Sequence, residues 1–218
     1  METTRKHRVP EMEGLQARWY AKNRGTAAQL AQYRRQAAEV TSGLPDGAEI
    51  LEVAPGPGFF AVELAKRGFR VTGLDISHTM VEIARETGAG LEIDFRQGDI
   101  THAPFAAESF DFVVCQAAFK NFRQPVAALD EMHRVLRPGG FAVIHDLNHE
   151  ATSADIGREV ESMNLGVVSG FTVRQTLGWL RRRAFTPAQF EELAAQSAFG
   201  ACSITADGIG LEVRLTKP

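Results

Sequence analysis

Three carboxylates, Glu52, Asp75 and Asp99, stand at or just after the ends of short strand-like runs, beside a glycine or a turn. Glu52 leads into Val53-Ala54-Pro55-Gly56-Pro57-Gly58, Asp75 follows Gly73-Leu74, and Asp99 follows Gly98. A glycine turn joining a strand to a helix lets a ligand approach the main chain. The helix beyond it presents free N–H groups and the positive end of its dipole. Acids at these positions suit a ligand that carries a cation and hydroxyl groups. A carboxylate repels a pyrophosphate, but it takes an ammonium or ribose hydroxyls through charge-assisted hydrogen bonds of about 1.5–3 kcal/mol each.

The same loop also satisfies the relaxed dinucleotide fingerprint G-x-G-x-x-A over residues 56–61, with Asp75 nineteen residues after Gly56, where a ribose-binding acid belongs. An NAD-dependent oxidoreductase is therefore a rival reading, and Glu52 is the feature against it.

These residues need a scaffold, and the apolar pattern supplies one. Residues 50–53, 70–74, 91–95, 110–115 and 141–144 read as buried strands. Helical spacing begins at Thr26, with Leu30, Tyr33, Ala37 and Val40 on one face. Further helices are expected from Gly58 to near Gly68, over 78–87 behind a Ser77 cap, and over 126–136. Strands alternating with helices imply a parallel sheet with right-handed crossovers. After Asp146 the pattern changes. Residues 150–185 read as one or two helices outside the sheet, and Thr186-Pro187-Ala188-Gln189 fits a capping box. Residues 201–205, which include Cys202, and 211–215 flank Ala206-Asp207-Gly208 as an antiparallel pair. Residues 1–25 are polar, with isolated aromatics at Trp19 and Tyr20.

A chain of 218 residues suits one domain with covering segments at 1–30 and 150–185. Its net charge of −3 gives no general attraction to nucleic acid or to an anionic membrane, so neither is expected as a partner. Arg5-Lys6-His7-Arg8 reads as a solvated tail. Arg181-Arg182-Arg183 reads as a solvated helix face, with steering of an anionic substrate as the alternative. The two cysteines have no metal-ligand spacing and form no disulfide framework, and Cys115 sits in an apolar run. No apolar stretch reaches the length of a membrane span, and the N-terminus is too polar for a signal peptide, so a cytoplasmic location is expected.

Four segments taken together carry a resemblance: Glu52-Val53-Ala54-Pro55-Gly56-Pro57-Gly58, Gly73-Leu74-Asp75-Ile76-Ser77, Gly98-Asp99-Ile100 and Leu136-Arg137-Pro138-Gly139-Gly140. They look like successive motifs of the class I S-adenosylmethionine (SAM)-dependent methyltransferases, in particular the small-molecule enzymes related to the ubiquinone and menaquinone methyltransferases. The resemblance covers residues 48–146 and, more loosely, the closing hairpin. It implies an α/β, Rossmann-like, doubly wound seven-stranded sheet of order 3-2-1-4-5-7-6 with strand 7 antiparallel, and helical lid segments. It also implies SAM as cofactor, S-adenosylhomocysteine as product, and a small-molecule methyl acceptor, in a monomer or homodimer. A SAM-binding protein of the same fold without methyl transfer is the other alternative.

Carried over by position, Glu52 and the loop of Ala54, Pro55, Gly56 and Gly58 hold the amino-acid end. Asp75 takes the ribose, Ile76 and Met80 flank the adenine, and Asp99 with Ile100 holds its amine edge. Gln116 lines the sulfonium end, and Tyr20 closes over the cofactor. Where the family has glycine this chain has Ala54, which is tolerated if its φ stays negative. His145 is the candidate base, since an imidazole titrates near ~6.5, against the competing reading of a hydrogen-bonded structural histidine. Lys120 is either an orienting group for an acidic acceptor or a solvated loop lysine. Phe171, Leu177, Trp179 and Phe185 either line an acceptor pocket or pack the lid. Asp146 and Asn148 lie near one another and keep a metal-dependent catechol site as an alternative, but two oxygen ligands alone make a poor case, so no metal is expected. Gln116-Ala117-Ala118-Phe119 replaces the Asn/Asp-Pro-Pro-aromatic motif of enzymes that methylate exocyclic amines of bases or glutamine, which argues against nucleic acid as substrate.

Overall fold

The computed structural model describes residues 12–163 and 166–218. Its strands are β1 (Glu49–Val53), β2 (Arg70–Asp75), β3 (Ile93–Gln97), β4 (Phe110–Gln116), β5 (Leu136–Leu147), β6 (Ser203–Asp207) and β7 (Gly210–Thr216). They form one seven-stranded sheet in the order β3-β2-β1-β4-β5-β7-β6. The first five strands run parallel, and β7 pairs antiparallel with both β5 and β6. This is the order and sense that the resemblance implies.

Strand side chains alternate between faces, and the core divides accordingly. Leu51, Val53, Val113, Cys115 and Ile144 point into one apolar cluster, closed by α5 (Pro125–Val135) and α8 (Pro187–Gln196). Ile50, Val71, Phe112, Val114 and Val143 point into the other, closed by α2 (Ala27–Val40), α3 (Phe59–Ala65) and α4 (His78–Thr87). Burial on both faces explains why the central strands read as nearly continuous apolar runs. The expected caps form: Ser77 Oγ accepts from the Met80 amide at 3.0 Å, and Thr186 closes a capping box with Gln189.

Four local expectations change. Residues 14–24 form a helix, α1 (Gly14–Arg24), although they carry no apolar stripe. Its buried contacts are alanines, Ala17 and Ala21, set against Met80 and Ile83. The Glu13 carboxylate also accepts from the His78 and Thr79 amides at the start of α4. Next, β3 begins at Ile93 rather than Leu91, because the Leu91 amide closes a turn onto Gly88 after α4. Third, β5 begins at Leu136, so Pro138 to Gly140 lie within it. Mutual hydrogen bonds tie Gly139 and Gly140 to Lys217 beside β7. Finally, Cys202 precedes β6 and is half-buried rather than lying in the strand.

After β5 the chain forms α6 (Ser153–Ser162) and α7 (Val167–Arg181) before α8. Among the described residues no helix is long and apolar enough to cross a membrane.

Candidate functional site

The sheet order reverses between β1 and β4, and in open α/β sheets ligands bind beyond the carboxyl ends of the strands at such a switch point. A cavity of about 860 Å³ lies there, with Glu52, Asp75, Gln116 and His145 on its walls. Among the described residues, three buried side-chain polar atoms have no hydrogen-bond partner: Glu52 Oε2, Gln116 Nε2 and His145 Nδ1. All three belong to cavity-lining residues.

Glu52 is 2% exposed at the end of β1. Burial, and after it the neighbouring Asp75 carboxylate, pushes its carboxyl pKa up to about 8. A buried carboxyl with an unused oxygen and, among the described residues, no ion-pair partner fits a ligand that brings its own positive charge. Asp75 is held differently. Its Oδ2 accepts from the Gly56 amide at 3.0 Å and its Oδ1 from the Ser77 amide at 2.9 Å. These bonds fasten the glycine loop to the β2–α4 turn and leave part of each carboxylate oxygen's capacity for hydroxyl groups. Burial raises the Asp75 pKa, and the two amides oppose that rise.

The loop has a left-handed backbone at Ala54 (φ 57°), Gly56 (φ 53°) and Gly58 (φ 79°). The condition of a negative φ at Ala54 is therefore not met. The Ala54 amide donates to the Leu74 carbonyl at 2.8 Å, which holds the residue in that conformation. An L-residue in this region carries a penalty of about 1–2 kcal/mol, partly offset by glycine's greater freedom in the unfolded chain. Ala54→Gly should therefore stabilise the protein by roughly 0.5–1 kcal/mol, read as a higher urea midpoint at unchanged slope.

Gly58 was expected among the ligand-binding residues, yet it does not line the cavity. A Cβ there would stand 3.0 Å from both the Ala84 Cβ and the Phe95 ring, so Gly58 serves the packing of α3 on α4 and β3. Gly73 is alike: a Cβ would lie 2.6 Å from the Phe95 ring. Pro55 and Gly56 do line the cavity.

On the β2–β3 side, Ile76 is 44% exposed on the cavity wall while Met80 and Ile100 are buried along it. Met80 also packs against α1, so it is a core residue as well as a wall. Asp99 lines the cavity too, with Oδ1 accepting from the Thr101 amide and capping the short turn Ile100–His102.

The far side corrects one expectation. Lys120 is neither a solvated loop residue nor a wall of the cavity. Its side chain is 4% exposed, and Nζ donates to Asp146 Oδ1 at 2.7 Å and to the Ala117 carbonyl. Both Asp146 oxygens are engaged by this ammonium and by the amides of Lys120 and Leu147. His145 does line the cavity, but Nε2 pairs with Glu212 Oε2 at 2.9 Å across the β5–β7 ladder and Nδ1 is shielded from solvent. The Nε2 pairing is that of a hydrogen-bonded structural histidine, while Nδ1 has no hydrogen-bond partner.

The segment 150–185 does not border the cavity among its described residues. Phe185 is buried against Phe119 and Phe190, and Phe171 and Trp179 are exposed. At the N-terminal side, Met12, Tyr20 and Arg24 do border it; residues 1–11, including the basic cluster at 5–8, lie outside the described residues.

Arg24 escaped the sequence reading, and Tyr33 was read only as part of a helix face. Arg24 Nε donates to the Tyr20 hydroxyl at 3.0 Å, its guanidinium lies over the Tyr20 ring, and both line the cavity with Tyr33. No carboxylate among the described residues pairs with Arg24. The i, i+4 spacing of Tyr20 and Arg24 would have exposed the pair had residues 14–24 been read as helical.

Known proteins resemble this chain in sequence and in fold. A family model described as "Methyltransferase domain" matches residues 51–144. A demethylmenaquinone methyltransferase of Renibacterium salmoninarum is 36% identical over 121 residues, 56% of this chain and 50% of that one. One from Clavibacter sepedonicus is 30% identical over 171 residues, covering 68% of this chain and 70% of that protein. The chain spans about half the length of most of the curated relatives it matches. A solved SAM-dependent methyltransferase from Aquifex aeolicus superposes with a TM-score of 0.68 at 17% identity, over 92% of this chain and 98% of that one, and shares the fold.

Proposed function

We propose that this chain, which belongs to the class I SAM-dependent methyltransferases, moves the methyl group of SAM to a nucleophilic atom of a small molecule. The observation that carries the reading is the buried Glu52 carboxyl, with one oxygen unpartnered, beside a glycine loop tied to Asp75. SAM fits these residues: its ammonium answers Glu52, and its ribose hydroxyls answer the remaining capacity of Asp75. Ile76 and Ile100 offer apolar surface to the adenine, and Asp99 offers an acceptor to its amine. When bound, SAM supplies an electrophilic methyl group on a sulfonium.

The chain's own contribution is alignment and exclusion of water. Gln116, with an unpartnered Nε2 at the end of β4, is placed to orient a polar group of the acceptor. His145 is held through Nε2 by Glu212, and the reading is transfer governed by positioning. The names of the relatives support a quinone-type acceptor, which would enter beside Phe122 and Leu211.

Arg24 completes the recognition of the amino-acid end by facing its carboxylate. Calorimetric titration with SAM, S-adenosylhomocysteine and NADH tests the cofactor reading: the first two should bind and NADH should give no heat. Binding of NADH alone would overturn it. Arg24→Ala should lower affinity for S-adenosylhomocysteine by about tenfold or more, with affinity for 5′-methylthioadenosine, which lacks the amino-acid end, unchanged. Equal losses for both ligands would make Arg24 structural. Formation of S-adenosylhomocysteine with a demethylated quinol as acceptor tests the acceptor class.

A further inference from the structure

The helix α7 is unusual in what it leaves exposed. None of its residues from 169 onward is buried. Phe171 is 64% exposed and Trp179 49%. Eight residues apart, they lie two turns along one stripe, which continues through Arg182 and Arg183. The Arg183 guanidinium covers the Trp179 ring at 4.8 Å. From Val167 to Arg183 there is no Asp or Glu, against arginines at 174, 181, 182 and 183, in a chain whose net charge is −3. The basic residues are thus concentrated where the aromatic side chains are bare.

The same combination recurs on α1. Leu15 and Trp19, 87% and 67% exposed, sit one turn apart beside Arg18 and Lys22, again with no acid in the helix. Both helices attach at the carboxyl edge of the sheet: α1 is fastened to the start of α4, and α6 with α7 follows the end of β5. The cavity lies at that edge.

We propose that this edge of the molecule, led by α7, docks on the surface of an anionic lipid bilayer. Trp and Phe seat well at the boundary between headgroups and acyl chains, and arginine stems extend from there to lipid phosphates. A helix face of aromatic and basic residues with no acid of its own is complementary to anionic headgroups, and its attraction falls with salt. The net charge of the whole chain conceals this, because it averages a local excess of arginine against acids elsewhere. The proposal rests on the surface alone and stands apart from the methyl-transfer reading.

The probe is sedimentation of the full chain with phosphatidylcholine vesicles, with and without phosphatidylglycerol. The anionic vesicles should bind at least about tenfold more protein, and less as salt rises. Phe171→Ser with Trp179→Ser, and separately Arg182→Glu with Arg183→Glu, should each reduce that binding about tenfold or more. Unchanged circular dichroism and thermal unfolding show that each variant is folded. Trp19→Phe leaves Trp179 as the sole tryptophan, and its emission should shift to the blue and be quenched by brominated acyl chains. Vesicle binding that ignores these substitutions would overturn the proposal. So would absent binding together with a concentration-dependent dimer, dissolved by the aromatic pair of substitutions, which would make the face an interface between copies.

Discussion

Replacing Lys120 by alanine should destabilise the protein by about 3–5 kcal/mol, measured as a lower urea midpoint at unchanged slope. The Lys120 and Asp146 side chains are 4% and 2% exposed, and their contact of 2.7 Å is made out of water. Two buried charges in contact contribute little net stability, since desolvation offsets their attraction, but removing one leaves the other charged and enclosed. Here Asp146 would keep only the amides of Lys120 and Leu147. The ammonium also holds the Ala117 carbonyl, in a loop where Ala117 itself is left-handed at φ 55°. Its loss therefore frees the segment that joins β4 to the cavity. Replacing both partners, Lys120→Met with Asp146→Asn, should recover a large part of the stability. A loss below about 1 kcal/mol for Lys120→Ala would show a pair reached by water, as surface pairs are.

Titration of Glu52 gives the second large effect. Its carboxyl pKa is about 8 in the folded chain against the ordinary 4.5, raised by burial and then by Asp75. With the folded value above the unfolded one, the folded chain holds the extra proton between these two values. The stabilising contribution is complete below about pH 4.5 and is lost as pH rises through 8. The full span is on the order of 4–5 kcal/mol. Glu52→Gln, neutral throughout, should flatten this decline, so that the ligand-free variant melts higher than the unsubstituted protein at pH 9 while the two differ little at pH 5. An ammonium seated beside Glu52 favours the charged form. Binding of S-adenosylhomocysteine near pH 7 should therefore release close to one proton, seen as a dependence of the calorimetric heat on the buffer's ionisation enthalpy. Absence of that dependence would mean that Glu52 keeps one protonation state in the free and the bound protein.

The fold was legible where local chemistry and tertiary demand agree. Ser77 and Thr186 are caps that the following helices require, and residues 112–115 are apolar because they are covered on both faces. Legibility failed where a partner far along the chain decides. Pro138 and Gly139 read as a helix stop, which they are, but Lys217 recruits the same residues into β5. The helix α1 is held by alanines and by Glu13, neither of which makes an apolar stripe. In the site, the acids at the strand ends could be found from their positions, whereas Arg24 could not, because it reaches the cavity from a helix that the pattern does not announce. Lys120 was misplaced because a short loop gave no sign that it folds under β5 onto Asp146.

Phe95 touches the notches left by both Gly58 and Gly73. The two glycines belong to different motifs, one after β1 and the other within β2, yet they make room for a single ring. Such a trio constrains the order in which substitutions can accumulate. A side chain at Gly73 becomes acceptable only after the phenylalanine has become smaller, whereas at Gly58 the left-handed backbone and Ala84 disfavour one in any case, and a smaller residue at 95 leaves a void until Gly73 changes. Lineages that keep the aromatic ring are therefore expected to keep both glycines, for a reason of shape that would hold even in descendants that no longer bind a cofactor.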